Sequence, residues 1–256
     1  MAIQTMKLTE WLAANAQTVT NATKASMQSA LNAPMMEYLN KNMRALQDGV
    51  YIGKAQRETW GTYMRCEAWQ TTNIGITAAD ADAIVIQYGG YRLGIALTEP
   101  TSTMSWGSKA DADSVGYQKS SELNSFDGKA RTDAIMKSSY YKDDDAATYA
   151  VAYAHAYSKS HTGDPGGDGV IAAGSWYLPT MGDLALIHQH FETINLALQR
   201  IKDAGKQSAT LLTRTAYWSC METSGTYAWG LDFSTGNRGY NGKVTGKLRV
   251  RPVTAF

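Results

Sequence analysis

The stretch 213-TRTAYWSCMETSGTYAWGLDFSTGNRGYNGKVTGKLRVRPVTAF-256 decides the fold of the C-terminal part of this chain. Trp229, Leu231 and Phe233 alternate with small or polar residues, which predicts a β-strand with one bulky apolar face. The run from Leu248 to Pro252 alternates with arginines in the same manner and predicts another strand. The residues between these strands show no apolar period, so we expect turns there.

The composition of this stretch allows two interpretations. From Thr215 to Lys247, 19 of the 33 residues are Ser, Thr, Gly, Tyr or Asn. Loops are generally rich in such residues. Binding loops of antibodies are too, because Tyr supplies rigid contact area while Ser, Gly and Asn adapt their hydrogen bonds. A frame that carries Trp218 and Trp229, interrupted by positions with no core role, favours a binding surface.

Upstream of this stretch, the sequence predicts a capped helix. Thr180 and Asp183 have the spacing of a capping box, and Gly205 is a plausible C-terminal stop. Apolar residues then recur every three or four positions and define a buried face: Leu184, Ile187, Phe191, Ile194, Leu198 and Ile201. His188 and His190 are two residues apart and cannot face each other on a helix, so we expect them on the solvent side.

Earlier segments predict a hairpin, a surface excursion and a second helix. Residues 83–87 and 92–97 flank Gly89-Gly90 and predict a β-hairpin whose second strand is half-buried. The polar, Ser-rich segment 99–126 predicts a long surface loop. Residues 143–145, three aspartates, precede an Ala/Tyr helix and suit its positive end. They lack the alternating ligands of a calcium loop. The loop 161–169, HTGDPGGDG, lacks the Lys-Ser/Thr of a phosphate-binding loop.

The first 47 residues differ in character from the rest. Two helical stripes, one of mostly small residues and one beginning at Met36, are separated by Pro34. They predict either two amphipathic helices that fold onto the main domain or a stem that self-associates or docks to a larger assembly. The stripe permits a homotrimer without requiring one.

The whole chain has the composition of an ordinary globular protein. It has 256 residues, of which 44% are hydrophobic and 18% charged, and its 24 basic and 23 acidic residues nearly cancel. No global charge therefore favours nucleic acid or an acidic membrane. Two cysteines, Cys66 and Cys220, exclude a disulfide framework. The N-terminus does not have the pattern of a secretory signal, and no apolar run is long enough to span a bilayer.

Several motifs carry a resemblance to a known family. The pieces WYLPTMGDL, INLAL, YWSCMETS, AWGLDFSTG and RVRPVTAF resemble the variable proteins of diversity-generating retroelements and related phage and bacterial domains. The likeness extends more weakly through DGVYIGKAQRETW, the predicted hairpin and SWG at 105–107, to about four-fifths of the chain. The resemblance implies an α+β fold, a C-type-lectin-like domain with short twisted antiparallel strands and flanking helices. This domain covers 48–256, follows an N-terminal helical segment at 1–47, and contains a variable segment at about 215–247.

The resemblance also implies which residues vary. A retroelement would rewrite adenines in codons of this segment, commonly Asn codons. AAC and AAT changed only at adenines cannot yield Trp, Met, Glu, Gln or Lys, so a fixed frame is expected at Trp218, Met221, Glu222, Trp229, Lys243 and Lys247. The expected ligand-binding residues are Cys220, Thr223, Gly225, Thr226, Tyr227, Gly230, Asp232, Ser234, Asn237, Arg238, Gly239, Tyr240, Gly242, Thr245 and Gly246. Among them Tyr227, Arg238 and Tyr240 are expected to dominate the binding energy. Gly230 and Asp232 are expected on the exposed, ligand-facing side of their strand.

These observations favour a binding protein over an enzyme. We expect a receptor-binding protein on a phage tail or another delivery particle, assembled in the bacterial cytoplasm, which engages a host cell-surface protein or glycan. Residues 1–47 would attach it to other tail proteins. A bacterial protein of fixed specificity, at the cell surface or in the cytoplasm, is the alternative. An enzyme related to formylglycine-generating enzymes would need a cysteine pair or a copper site, and only Cys220 lies in the relevant half. We expect no cofactor, calcium-independent binding, no nucleic-acid binding and no membrane insertion.

Overall fold

The computed structural model describes residues 47–58, 61–70, 80–107, 125–137, 148–157, 174–206 and 208–255. The predicted N-terminal helices, the aspartates at 143–145 and the loop 161–169 lie outside these ranges. The chain divides into two compact units, one comprising 1–47 with 56–65 and the other 48–55 with 66–256. The second unit contains the whole of the three-stranded sheet described below, most of the five-stranded sheet and all four described helices.

A five-stranded antiparallel sheet forms one part of the core. Its strands are β1 (Gly49–Glu58), β2 (Gly61–Ala68), β3 (Ala83–Tyr88), β4 (Tyr91–Ala96) and β8 (Val253–Ala255), in the spatial order β2-β1-β3-β4-β8. Strands β3 and β4 form the predicted hairpin, with Tyr88 opposite Tyr91 and Gly89 at a φ of 55° in the turn. The last described strand, β8, pairs with β4 and forms one edge of the sheet.

A three-stranded antiparallel sheet contains the C-terminal stretch that decides the fold. Its strands are β5 (Ala216–Glu222), β6 (Tyr227–Asp232) and β7 (Arg238–Gly242), in that spatial order. The predicted strand through Trp229 is β6. The chain from 248 to 250 forms only isolated bridges, with Met104 and with Tyr217, before it enters β8.

Four helices are described: α1 (Gly128–Lys137), α2 (Ala150–Ala156), α3 (Met181–Gln189) and α4 (Phe191–Asp203). The predicted capping box at the start of α3 is confirmed, since Thr180 and Asp183 each accept from the other's backbone N–H. The predicted single helix is divided at His190, whose φ of −103° and ψ of 15° interrupt it. After α4, Gly205 at a φ of 111° completes a Schellman ending, in which the N–H of Lys206 donates to the Ile201 carbonyl.

Three further sequence predictions differ from the structure. Strand β4 is buried on both faces from Leu93 to Ala96, because β3 and β8 flank it and Gly94 and Ala96 are small enough to be covered. Residues 104–107 lie in the core instead of a surface excursion, with Trp106 fully buried. Helix α2 begins only at Ala150 and has no acid in its first turn, because Tyr149 is extended and forms a bridge with Ser105.

The core lies between the sheets and the helices. Its largest fully buried side chains include three tryptophans, Trp106, Trp176 and Trp218. Helix α3 packs against β5 and β6, and α4 packs against β3. No helix in the described part of the chain is long and apolar enough to span a membrane.

Candidate ligand-binding site

The candidate site is built on the ladder between β6 and β7. Trp229 lies opposite Tyr240, and Leu231 lies opposite Arg238, so these four side chains share one face of the sheet. Tyr227, two residues before Trp229, points to the same side. The Tyr240 ring stands nearly perpendicular to both neighbouring rings, with centroids 5.4 Å from Tyr227 and 5.8 Å from Trp229. We call Tyr227, Trp229 and Tyr240 the aromatic cluster.

The aromatic cluster is accessible to a ligand. Tyr240 keeps 60% and Tyr227 44% of its surface exposed, and Trp229 is half-buried beneath them. Arg238 is also exposed, at the end of β7 on the same face. Large aromatic side chains with a polar tip, next to an arginine, are the residue types that most often dominate binding energy at interfaces.

The faces of β6 differ from the prediction at Trp229 and Gly230, whereas Leu231 and the following Phe233 are buried as expected. Gly230 is buried: a β-carbon built on it would lie 2.7 Å from the Tyr217 carbonyl oxygen and 2.9 Å from Cδ1 of Leu248. The small side of the strand therefore packs against the domain, and the bulky side bears the exposed rings. Toward the other end of the strand that bulky side is covered by the helices, where Phe233 contacts His188 and Phe191.

The structure sorts the predicted ligand-binding residues into three groups. Exposed residues are Thr226, Tyr227, Ser234, Asn237, Arg238, Gly239, Tyr240 and Thr245. Half-buried residues are Thr223, Gly225, Asp232, Gly242 and Gly246. Cys220 and Gly230 are buried, so neither can touch a ligand, and their assignment to the binding surface is wrong. Cys220 lies in the core because the backbone at this point of β5 is anchored by a hydrogen bond from its N–H to the Pro179 carbonyl.

Two of the half-buried glycines have no space for a side chain. A β-carbon on Gly242 would lie 2.5 Å from Oγ1 of Thr245, and one on Gly246 would lie 2.7 Å from the Gly242 carbonyl oxygen. The Gly246 N–H donates to that same carbonyl across the turn, at 2.7 Å. Gly242 and Gly246 therefore shape the turn after β7.

Each turn around the aromatic cluster is held by its own short side chains. The Ser224 hydroxyl accepts hydrogen bonds from the N–H groups of Thr226 and Tyr227, which fixes the turn between β5 and β6. The Asp232 carboxylate accepts from the N–H and the hydroxyl of Ser234 at 2.8 and 2.7 Å, and these bonds hold the pKa of Asp232 below its usual range. Such local bonds limit the turn's conformations without using the core.

A buried segment distant in sequence forms the floor beneath the last turn. Met104 exchanges backbone hydrogen bonds with Leu248, and the N–H of Trp106 donates to the Lys243 carbonyl at 2.9 Å. The Ser105 hydroxyl donates to the Val244 carbonyl at 2.8 Å. We call residues 104–107 the floor segment. It fixes the chain on the C-terminal side of β7 to the core.

An ion pair completes this floor. Lys243 and Glu222 are fully buried, pair with each other, and thereby join the turn after β7 to the end of β5. The Lys243 ammonium also lies over the Trp106 ring, 4.9 Å from its centroid. A buried pair of this kind costs much to break from one side, since the remaining charge stays in the core. Trp218 donates from Nε1 to the Met104 carbonyl at 2.8 Å, which ties β5 to the same segment.

Sequence reasoning missed two features of this surface. Trp229 was assigned to the frame, yet its ring contacts Tyr240 within the aromatic cluster. The sequence does contain a signal for this contact: Trp229 follows Tyr227 by two residues, and residues two apart lie on the same face of a strand. Val244 is 42% exposed in the following turn. Lys247, the other predicted frame residue outside the core, is exposed as well.

Asp183 lies at the centre of a buried network of ionisable groups. Asp183 accepts hydrogen bonds from the Thr180 N–H at 2.9 Å and from the Tyr91 hydroxyl at 2.8 Å. Burial raises the pKa of Asp183 to about 6, and it also raises the pKa of the nearby Cys220 thiol well above its usual value. Within the described ranges, no three His, Cys, Asp or Glu side chains converge as metal ligands.

Comparisons with known proteins give a likeness of fold. No protein-family model matches the chain, and no curated protein does. Among solved structures, a fimbrial protein from Bacteroides ovatus ATCC 8483 is similar, with a TM-score of 0.52 and 14% sequence identity. The match covers 82% of this chain and 49% of the fimbrial protein, so the chain spans about half of that protein's length. The chain is therefore a mixed α/β protein whose fold is similar to that of part of a fimbrial protein.

Proposed function

We propose that this chain is a ligand-binding protein of the retroelement variable type, with a C-type-lectin-like fold. Its C-terminal surface, centred on the aromatic cluster, would engage a host cell-surface protein or glycan from a phage tail or a comparable particle. The single observation that carries the proposal is the exposed aromatic cluster, which is anchored by the buried opposite face of β6 and by the buried Lys243 in the turn after β7. A rigid platform of this kind lowers the entropic cost of binding.

The distribution of burial supports a division into frame and repertoire. Among the residues that adenine changes in an Asn codon cannot produce, Trp218, Met221, Glu222 and Lys243 are all buried. Most of the residues that such changes can produce are exposed or half-buried. A retroelement that rewrote only those codons would therefore change the surface and leave most of the core intact.

A bacterial surface protein of fixed specificity is the second candidate. The fimbrial protein with a similar fold motivates this candidate. The neighbouring DNA separates the two candidates. A near-copy of the last ~120 bases that differs only at adenines, beside a reverse transcriptase gene, supports the first, and its absence supports the second.

The burial of Cys220 gives no support to a thiol-dependent enzyme of the formylglycine-generating kind. The Cys220 thiol is 1% exposed and its pKa is raised by burial, so it is a poor nucleophile at neutral pH. Loss of a measured activity when Cys220 is alkylated would contradict the binding proposal.

A triple substitution tests the binding surface. Replacing Tyr227, Arg238 and Tyr240 with Ala removes exposed side chains that have few core contacts, so we expect loss of binding to a panel of host cells. Truncation at hot spots costs about 2 kcal/mol each, so the three losses together, if additive, lower the affinity on the order of 10⁴-fold. The melting temperature should fall by no more than about 3–6 °C, because each substitution at an exposed site usually changes stability by less than ~0.5 kcal/mol.

The control is Tyr88→Ala, which removes an equally exposed tyrosine, 48% accessible, from the β3–β4 hairpin. It should leave binding unchanged. Retained binding by the triple variant would refute the proposed surface, and a collapse of its stability would mean that these side chains belong to the core.

A further inference from the structure

The outer edge of β7 carries backbone groups that the β6–β7 ladder does not use. In this ladder the Asp232 N–H donates to the Asn237 carbonyl at 3.0 Å, and the Lys243 N–H donates to the Thr226 carbonyl at 2.9 Å. Hydrogen-bonded pairs alternate along an antiparallel ladder. Residues 237, 239, 241 and 243 therefore direct their backbone groups toward β6, while Arg238, Tyr240 and Gly242 direct theirs away from it.

These outward groups are open for pairing. Strand β7 has β6 as its one neighbour in the described part of the chain, so the N–H and C=O groups of Arg238 and Tyr240 have no ladder partner there. At Gly242 the carbonyl accepts from Gly246, which closes the edge at that end and leaves the N–H. The open edge is thus about three residues long, enough for one added strand to form several hydrogen bonds.

The sequence of β7 does not protect this edge. Exposed edges are normally blocked by proline, by a bulge or by several charged side chains, which prevent unwanted pairing. Strand β7, RGYNG, contains one charged residue, no proline and a regular register with β6. The face of β7 that points away from the aromatic cluster is also open at Gly239, since nothing lies within 4 Å of a β-carbon built on that residue.

Charge indicates the kind of strand that fits. Arg238 is exposed at the start of β7, and no acidic residue follows Asp232 in the sequence. The nearby basic residue Lys243 is neutralised in the core by Glu222. An extended acidic segment would be attracted to the exposed Arg238, and an extended basic segment would be repelled by it.

We propose that the outer edge of β7 binds an extended acidic segment of a protein ligand by β-strand addition. The ligand backbone pairs with Arg238 and Tyr240, and its side chains on one face contact the aromatic cluster. This proposal rests on the proposed function and deepens it, because it makes the ligand a protein and defines the mode of binding.

The test uses the full chain and a synthetic probe. The probe is a nine-residue peptide of alternating Glu and Thr or Val, N-methylated at alternate positions so that one edge alone can pair and the peptide does not self-associate. At nine-tenths occupancy, amide hydrogen exchange of Arg238 and Tyr240 should slow about tenfold, while that of Gly239 and Asn241 should change little. A peptide with Lys in place of Glu should bind at least about tenfold more weakly.

A backbone substitution isolates the hydrogen bond. Tyr240 is replaced by its α-hydroxy acid analogue through stop-codon suppression, which exchanges the N–H for an ester oxygen and keeps the ring. Probe affinity should fall about fivefold, the size of one lost hydrogen bond. The same exchange at Tyr88, an exposed tyrosine of the other sheet, should leave probe affinity unchanged.

The outcomes separate the two proposals. Strand addition would be overturned if 1 mM probe left amide hydrogen exchange at Arg238 and Tyr240 unchanged, or if the Tyr240 ester bound the probe with unchanged affinity. It would also be overturned if the chain sedimented as a dimer and the Tyr240 ester dissociated that dimer. If strand addition fails but the triple side-chain variant loses cell binding, the binding surface stands without this mode. If the triple variant keeps cell binding, the proposed function itself fails.

Discussion

The pair Gly230 and Gly239 offers a stringent test of which face of β6 is buried. The two glycines lie opposite each other in the β6–β7 ladder, and both were predicted to contact ligand. A β-carbon on Gly230 would lie 2.7 Å from the Tyr217 carbonyl oxygen, about 0.7 Å closer than ordinary van der Waals contact, whereas one on Gly239 meets nothing within 4 Å. The same Gly→Ala change should therefore have opposite effects at the two positions.

The magnitudes follow from packing and from chain entropy. At Gly230 the obstructing atom is backbone, so β5 and β6 must separate, and overpacking of this kind costs about 1–3 kcal/mol. Neither glycine has a positive φ, so each alanine also recovers about 0.4–1 kcal/mol through the unfolded state. We expect Gly230→Ala to destabilise by about 1–2 kcal/mol and Gly239→Ala to stabilise by about 0.5 kcal/mol.

Urea denaturation followed by tryptophan fluorescence measures both changes. On a chain of this size the melting temperature should fall by about 3–6 °C for Gly230→Ala and rise by about 1–2 °C for Gly239→Ala. Equal effects at the two positions, or a neutral Gly230→Ala, would refute the assignment of the small face of β6 to the core.

Three further predictions concern buried groups. Lys243→Met should destabilise the protein by about 3–5 kcal/mol in urea denaturation, because it leaves the Glu222 charge in the core. Adding Glu222→Leu should recover much of the lost stability. If Lys243→Met cost no more than the exposed control Lys247→Met, the role of the buried ion pair would be contradicted. Burial raises the pKa of Asp183 to about 6 from 3.8, so its contribution to stability is full below pH 3.8 and is lost as the pH rises through 6. In unfolding curves between pH 4 and 7, Asp183→Asn should remove this pH dependence of the unfolding free energy, which amounts to up to about 3 kcal/mol. An unchanged slope of the unfolding free energy against pH would count against the raised pKa of Asp183. The Cys220 thiol should react with Ellman's reagent far more slowly in the native protein than in urea, and rapid native labelling of Cys220 would show that β5 opens to solvent.

Local spacing made part of this architecture predictable from sequence. The capping box of Thr180 and Asp183 depends on residues three apart, and the β3–β4 hairpin depends on a two-residue glycine turn, so both could be read directly. The strand β6 was also predictable from its alternation. These features need no knowledge of what lies elsewhere in the fold.

The orientation of β6 could not be predicted in this way. Alternation defines two faces but does not say which is covered, and here the cover comes from Leu248 and the Tyr217 backbone on the side of the small residues. Placing Trp106 in the core required the pairing of Met104 with Leu248, a contact between residues far apart in sequence. The burial of Cys220 also involves a contact between residues far apart in sequence, the hydrogen bond from its N–H to the Pro179 carbonyl.

The floor segment has a practical consequence for anyone who engineers this chain. Since residues 104–107 hold the turn after β7 from more than a hundred positions away, a cassette cut at Thr215 and grafted onto another scaffold would lose the hydrogen bonds from Met104, Ser105 and Trp106. Combinatorial libraries built from the last forty residues alone should therefore yield poorly ordered loops. The smallest transplantable module is discontinuous in the gene, and it includes the Met-Ser-Trp-Gly tetrapeptide.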